Sequence, residues 1–287
     1  MNKRKTAIIA LTAAIFIVLG ALVFLRDKDD RQIEDISGKV DSVTQKIRME
    51  AEKEIAEKKA AEKAAREKAK RERAKREKLQ KEKKARDKRK RKQRRLSELK
   101  RKMSLSEDYK EEFIHGEKGK KYQKYIMLHD TESGGTADTV ITKWMKQGKK
   151  IASHFIINKD GTVVQCVPMD RIAHHAGFGN NGHNKKFGVT DESRDDKEGT
   201  ESIGPEYPDY GMNSYSIGIE MIHKGSTGES YPAAQLRALD SLIAYIDSYY
   251  GKKSRIIDHK MWRLSNGDTS DEFAGYLENY MDHRKHH

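Results

Sequence analysis

His129, His259 and Asp268 are the residues of this sequence whose types and spacing can do chemistry. His129 stands where the apolar run Tyr125-Ile126-Met127-Leu128 stops, just before Asp130-Thr131-Glu132-Ser133-Gly134-Gly135. His259 follows Ile256-Ile257-Asp258 in the same way, and Asp268 lies nine residues further on in an Asn-Gly-Asp-Thr-Ser turn. Two imidazoles and one carboxylate suit one catalytic zinc per chain, with a fourth position left for water. By spacing alone the signal is weak, because the chain has 11 histidines and most histidines are surface or core residues. His283, His286 and His287 read as a solvated tail. Cys166 is the only cysteine, which excludes an intrachain disulfide and a four-cysteine zinc site. It lies in a strand pattern and reads as a small buried hydrophobe. A Cys/His nucleophile pair has no identifiable histidine beside it.

The elements that must position these residues can be read from hydrophobic pattern and turn chemistry. Lys124–His129 reads as a buried strand and Ala137–Lys149 as a helix. His154–Asn158 and Thr162–Pro168 flank Lys159-Asp160-Gly161, a hairpin turn. Ile217–Ile222 is a strand. Pro232 opens a helix that runs to Gly251, with proline at its start and glycine past its end. Ile256–Asp258 is a short strand and Phe273–Met281 a last helix. The expected fold is α/β, a mixed central β-sheet flanked by helices. The Gly-, Asn- and Asp-rich stretch 179–213 is too long for a plain connector and reads as a binding or mobile loop.

This domain is one of several unlike stretches. The 287 residues are 36% charged and 35% hydrophobic, with a formal charge of +14. Residues 46–102 hold 28 Lys/Arg against 11 Asp/Glu, so they carry more than the whole positive excess. Residues 103–287 are slightly acidic and hold all 12 tyrosines, both tryptophans and all 4 prolines. Any core able to build a site lies there, and ~180 residues suffice for one domain.

Lys3, Arg4 and Lys5 precede an uncharged run, Thr6–Leu25. At ~1.5 Å per residue its length spans the ~30 Å hydrocarbon layer. It reads as an uncleaved single-pass anchor over 1–26 with a cytoplasmic N-terminus; a cleaved signal peptide is the rival reading. Residues 27–44 read as a linker. From Glu52 to Asp87 an acid recurs every five residues, each followed by Lys or Arg. Basic residues stand four places after the acids from Glu62 onward, an order worth ~0.2–0.5 kcal/mol per pair in a helix. The apolar residues Ile47, Ile55 and Leu79 are too far apart for a coiled-coil seam. Residues 45–102 are expected to form a solvent-exposed single charged helix of ~85 Å, with a disordered tether as the alternative. On an exported segment its basic charge suits anionic wall polymers, lipid head groups or an envelope protein partner. Nucleic acid is not an expected partner.

Three blocks carry a resemblance. Ser153-His-Phe-Ile-Ile-Asn-Lys-Asp-Gly-Thr-Val-Val-Gln-Cys-Val-Pro168, Ala173-His-His-Ala-Gly177 and Asn213-Ser-Tyr-Ser-Ile-Gly-Ile-Glu220 resemble the zinc-dependent N-acetylmuramoyl-L-alanine amidases. That type 2 amidase family includes phage amidase lysozymes, anhydro-muropeptide amidases and peptidoglycan recognition proteins. The likeness covers roughly residues 120–280 of a domain spanning 103–287. It implies that His129, His259 and Asp268 are the zinc ligands, with Asp271 as the alternative third. It implies that Glu220 is the catalytic carboxylate and that His175, Asn213 and His154 serve substrate binding. Two departures stand out. Ser153 occupies the place of a tyrosine in the phage-type enzymes, and Asn266 that of a frequent lysine; Lys260 or Arg263 is a candidate replacement cation.

The chemistry suits the residues themselves. An amide is a poor electrophile, zinc polarises carbonyls and acidifies water, and Glu220 can carry the proton to the leaving amine. The expectation is an envelope-anchored zinc hydrolase with its domain outside the cytoplasm. It would cut the amide between N-acetylmuramic acid and L-alanine in peptidoglycan or muropeptides. The rivals are a non-catalytic peptidoglycan-binding module and a protein whose envelope-spanning stalk is its main business.

Overall fold

Continuous apolar runs such as Tyr125–Leu128 form strands buried on both faces, the pattern of parallel sheets covered by other layers. The computed structural model describes residues 20, 30–225, 228–270 and 273–286. The expected anchor, Thr6–Leu25, lies outside these apart from Gly20. Among the described residues no helix is long and apolar enough to cross a membrane. The chain divides into two units, with the boundary between Arg86 and Asp87.

The first unit is described from helix α1, which spans Asp30–Lys102 and continues into the second unit. It begins inside the stretch read as a linker. Ala, Glu, Lys and Arg favour the helix, and no Gly or Pro follows Gly38 within it. Val43, Ile47, Ile55 and Leu79 are exposed along it. Among the described residues the closed i,i+4 ion pairs are Asp35–Lys39, Arg48–Glu52, Glu54–Lys58, Arg73–Glu77 and Glu98–Lys102. None is one of the pairs expected from Glu62 onward. Exposed ions worth a few tenths of a kcal/mol exchange partners freely, so spacing does not dictate which pairs close.

In the second unit the last turns of α1 turn apolar. Leu96 and Leu99 pack on the core and Met103 is fully buried. Six strands follow: β1 (Ser106–Glu107), β2 (Tyr125–Asp130), β3 (Phe155–Ile157), β4 (Val163–Gln165), β5 (Ser216–Met221) and β6 (Arg255–Asp258). They form one sheet in the order β1-β4-β3-β5-β2-β6. Only β3–β4, the expected hairpin, is antiparallel; the other pairs are parallel. The helices are α2 (Ala137–Gln147), α3 (His183–Phe187), α4 (Ala233–Tyr250), α5 (His259–Trp262) and α6 (Phe273–His283). α4 begins after Pro232 and ends at Gly251 with φ 75°, the left-handed cap that the sequence predicted.

The sheet has two unlike faces. Ile126, Leu128, Ile217, Ile219 and Ile256 pack in one cluster with Leu239, Leu242 and Ile246 of α4 and Phe273 and Tyr280 of α6. The rest of the core forms two separate clusters. One gathers Phe113, Val140, Ile141, Ile156 and Val164. The other gathers Met127, Phe187, Met212, Ile257 and Trp262.

Candidate functional site

Strand alternation decides which side chains meet. Ile126 and Leu128 of β2 join the α4 cluster, so His129 points from the opposite face. Ile217 and Ile219 do the same on β5, so Glu220 points with His129. The parallel register places His129 directly beside Glu220 and Leu128 beside Asp258. His259 then begins α5, where Asp258 caps the helix by accepting from Met261 N. All three functional side chains thus stand at carboxyl ends of parallel strands, where open α/β sheets form their ligand crevices.

Hydrogen bonding fixes the tautomers. Ser216 Oγ donates to Met212 O at 2.8 Å, so it accepts from His175 Nε2 at 3.1 Å. His175 Nδ1 is then an acceptor for His129 Nε2–H at 3.1 Å. The lone pair of His129 is left on Nδ1, 3.0 Å from Asp268 Oδ2. His259 Nε2 donates to Ala176 O at 2.9 Å, leaving its lone pair on Nδ1, 2.6 Å from the same oxygen. Both rings are buried, at 1% and 3% exposure, and Asn266 Nδ2 stands 3.0 Å from His259 Nδ1. Asp268 Oδ1 is also buried without a hydrogen-bond partner. Three acceptors facing one point fit a divalent cation. The two-imidazole, one-carboxylate set suits zinc in its catalytic form.

Glu220 stands next to this triad. Burial pushes its carboxyl up to about 7; the Asp268 charge adds to this, while His129 and a hydrogen bond from Ser153 oppose it. Ser153 Oγ donates to Oε1 at 3.0 Å, which orients the carboxylate. A cleft of about 360 Å³ opens over His129, Glu220, His259 and Asp268, and Arg263 and Asn266 also line it. Arg263 and Lys149 are the cations that line the cleft; Lys260 does not line it. Asn266 Oδ1 accepts from Asp268 N at 2.8 Å and so shapes the ligand turn.

Of the other expected residues, His175 is bonded to His129 and also lines the cleft. It packs so closely on Gly218 that a Cβ there would come within 2.5 Å of its ring. Glycine at that strand position is a condition for the relay. Asn213 is wholly buried, and its Oδ1 accepts from His175 N and Ala176 N at 2.9 and 2.8 Å. It holds the histidine segment rather than facing the cleft. His154 is also wholly buried: Nε2 donates to Arg171 O and Nδ1 accepts from Gly218 N. Both nitrogens are spent on backbone, and the ring does not line the cleft. Cys166 is buried and its thiol is pushed up by burial, which makes it inert. Asp271 lies outside the described residues.

Sequence reasoning missed the group that anchors the turn carrying Asp268. Asp130 Oδ2 accepts from Ser270 N at 2.8 Å, and Tyr231 OH lies 2.7 and 2.6 Å from the two Asp130 oxygens. Asp130 N also donates to Asp268 O. The only signal was an acid directly after the strand-end histidine.

The family model described as Amidase_2, N-acetylmuramoyl-L-alanine amidase, matches residues 119–272. No curated protein matches. Solved structures that are similar include the endolysin N-acetylmuramoyl-L-alanine amidase LysCS from Clostridium intestinale URNW. It is 20% identical, with 56% of this chain and 84% of that chain covered and a TM-score of 0.38. The amidase LysC from the same organism is 19% identical, with 61% and 97% covered and a TM-score of 0.40. The hydrolase AmiA of Staphylococcus aureus is 17% identical, with 58% and 71% covered and a TM-score of 0.36.

Proposed function

Because this chain belongs to the N-acetylmuramoyl-L-alanine amidase family, we propose that it is a zinc-dependent peptidoglycan amidase. It cuts the bond between N-acetylmuramic acid and L-alanine of the stem peptide. The observation that carries this reading is the convergence of His129 Nδ1, His259 Nδ1 and the Asp268 carboxylate beside Glu220. His129, His259 and Asp268 would hold the zinc. A bound zinc supplies Lewis acidity to the scissile carbonyl and to the attacking water.

The protein's own groups do the rest. Glu220 takes a proton from the attacking water and returns it to the leaving amine. Ser153 holds one carboxylate oxygen and leaves the other for the water. Arg263 brings positive charge to the cleft where the carbonyl oxygen turns negative. The His175–Ser216 relay keeps His129 in the ligating tautomer.

The basic flank and the uncharged run 6–25 support a single-pass anchor with the catalytic unit outside the cytoplasm. The charged helix would then serve as the spacer, and intact wall is the substrate that placement favours. The test is digestion of purified peptidoglycan by the full chain, with chelator and after zinc is restored, followed by mass spectrometry of the products. A free lactyl carboxylate and a new N-terminal alanine are expected, with loss of both under chelation. Cleavage at a glycosidic or cross-bridge bond would sink the proposal. Binding to the wall without any cleavage would leave the non-catalytic module in its place.

A further inference from the structure

The acid that recurs every five residues along α1 stops at Asp87. The next two places in that rhythm are Lys92 and Ser97, and residues 88–95 hold seven Lys/Arg and no acid. The lapse follows the start of the second unit. There α1, the end of α4 and the end of α6 border a groove of about 640 Å³.

Cations crowd this groove. Arg91 and Arg95 line it from α1, Lys252 and Lys253 from the turn after α4, and Lys285 from beyond α6. Among the described residues none of these five closes an ion pair. Asp247 is the one carboxylate among the described lining residues, and it is spent. Arg284 Nη2 pairs with it at 2.6 Å and Ser254 N donates to it at 3.2 Å. Lys92 caps the end of α4 by donating to Tyr249 O at 2.6 Å. Burial, then the charges of Lys120 and Lys88, hold its ammonium below the ordinary lysine value. Lys88–Lys92 and Arg91–Arg95 are like-charged i,i+4 pairs, which disfavour the helix that carries them. Leu96, Leu99 and Lys92 suffice to dock α1. The other cations add a repulsion that a bound polyanion would relieve.

The lining narrows the anion. It includes no Phe, Tyr or Trp, so nucleic acid bases find no stacking platform. A protein partner needs apolar anchors at the centre of its contact, and the large hydrophobe here, Ile243, is only 1% exposed. Guanidinium forks and ammonium groups set along a trough suit phosphates in a row. A trough receives a chain, whereas a bilayer presents a broad surface.

We propose that this groove binds a linear phosphodiester polymer of the envelope, held by Arg91, Arg95, Lys252, Lys253 and Lys285. The envelope as its source rests on the placement outside the cytoplasm proposed above. The groove shares no lining residue with the cleft over Glu220. It would hold the enzyme on the wall without touching the reaction.

The experiment is binding of the full chain, in detergent micelles, to labelled poly(glycerol phosphate) over a range of salt. A combined Lys252→Gln, Lys253→Gln and Lys285→Gln variant is compared with a combined Lys63→Gln, Lys68→Gln and Lys70→Gln variant, an equal loss of charge on the spacer. All six side chains are exposed, so folding survives both changes. The groove variant should bind at least ~10-fold more weakly and lose about 2 from its salt slope, while the spacer variant stays close to the unaltered chain. Equal weakening of the two would overturn the proposal, as would absence of binding by the unaltered chain. Tighter binding per phosphate to a single-stranded oligonucleotide, or to phosphatidylglycerol vesicles, would overturn it in favour of nucleic acid or lipid. Binding is read without hydrolysis, so its failure leaves the amidase reading standing, and absence of hydrolysis leaves the groove standing.

Discussion

His129 and His259 stand at the ends of neighbouring parallel strands, whereas His115 and His174 stand on connecting segments. Each pair faces a carboxylate, with partners on the far side of the rings. The difference lies in what surrounds them. The first pair has a non-ligand carboxylate, Glu220, on the adjacent strand, with a hydroxyl holding it and a cleft above it. The second has an enclosed carboxylate, Asp195, and two backbone carbonyls that tie its rings to the domain. The same residue types therefore stand in two settings, below a cleft at the strand ends and in an enclosed contact between connecting segments. The partners around them make the distinction.

The largest expected effect separates the clusters outright. His129→Ala should reduce peptidoglycan hydrolysis by at least ~10³-fold, the several kcal/mol that a Lewis acid contributes, with loss of bound zinc. Retention of most of the activity would remove the first cluster from catalysis. Next in size is Glu220→Gln, which keeps shape but loses the proton acceptor. Hydrolysis should fall by at least ~10²-fold with zinc content unchanged; excess zinc should rescue Asp268→Asn in part and Glu220→Gln not at all. If zinc restores Glu220→Gln, that residue is a ligand and the assigned roles are wrong.

Asp130→Asn tests the supporting shell of the first cluster. It should weaken zinc at the strand-end site by roughly 10–100-fold, read by competition with a chelator of known affinity. Unchanged affinity would remove Asp130 from the support of the ligand turn. A further effect concerns the metal-free chain. Glu220 holds its proton to about 7 in the folded state against an ordinary 4.5. Between those values the folded state binds a proton that the unfolded state has released, so stability falls as pH rises through that window. The loss should be on the order of 3 kcal/mol by pH 8. Glu220→Gln should abolish this slope in chelator-treated melts, and a slope that survives would assign it to another group.

Much of this site was legible because strand ends are legible. An apolar run that stops at a histidine fixes both the element and the exit point, and strand alternation then sends His129 and Glu220 to one face. What misled was proximity in the motif. His154 and Asn213 lie in the same blocks as the site, yet both are consumed by backbone partners. Asp130 was visible as a neighbour of His129, but its partners Tyr231 and Ser270 come from 101 and 140 residues away.

The sequence by itself determined what short-range forces decide. The helix-forming residues of α1, the Pro232 and Gly251 ends of α4, and the 158–162 turn each act over a few residues. Tertiary structure decided what depends on distant partners. It docked Leu96, Leu99 and Met103 of the charged stretch onto the α4 face of the sheet. It set the ligating nitrogen of His129 through His175, Ser216 and Met212 O, groups that local spacing does not connect to it. It also brought His115 to His174 and Asp196 across 59 and 81 residues. A side chain's chemical state follows from the groups that surround it in space, and parallel pairing and loop packing choose those groups.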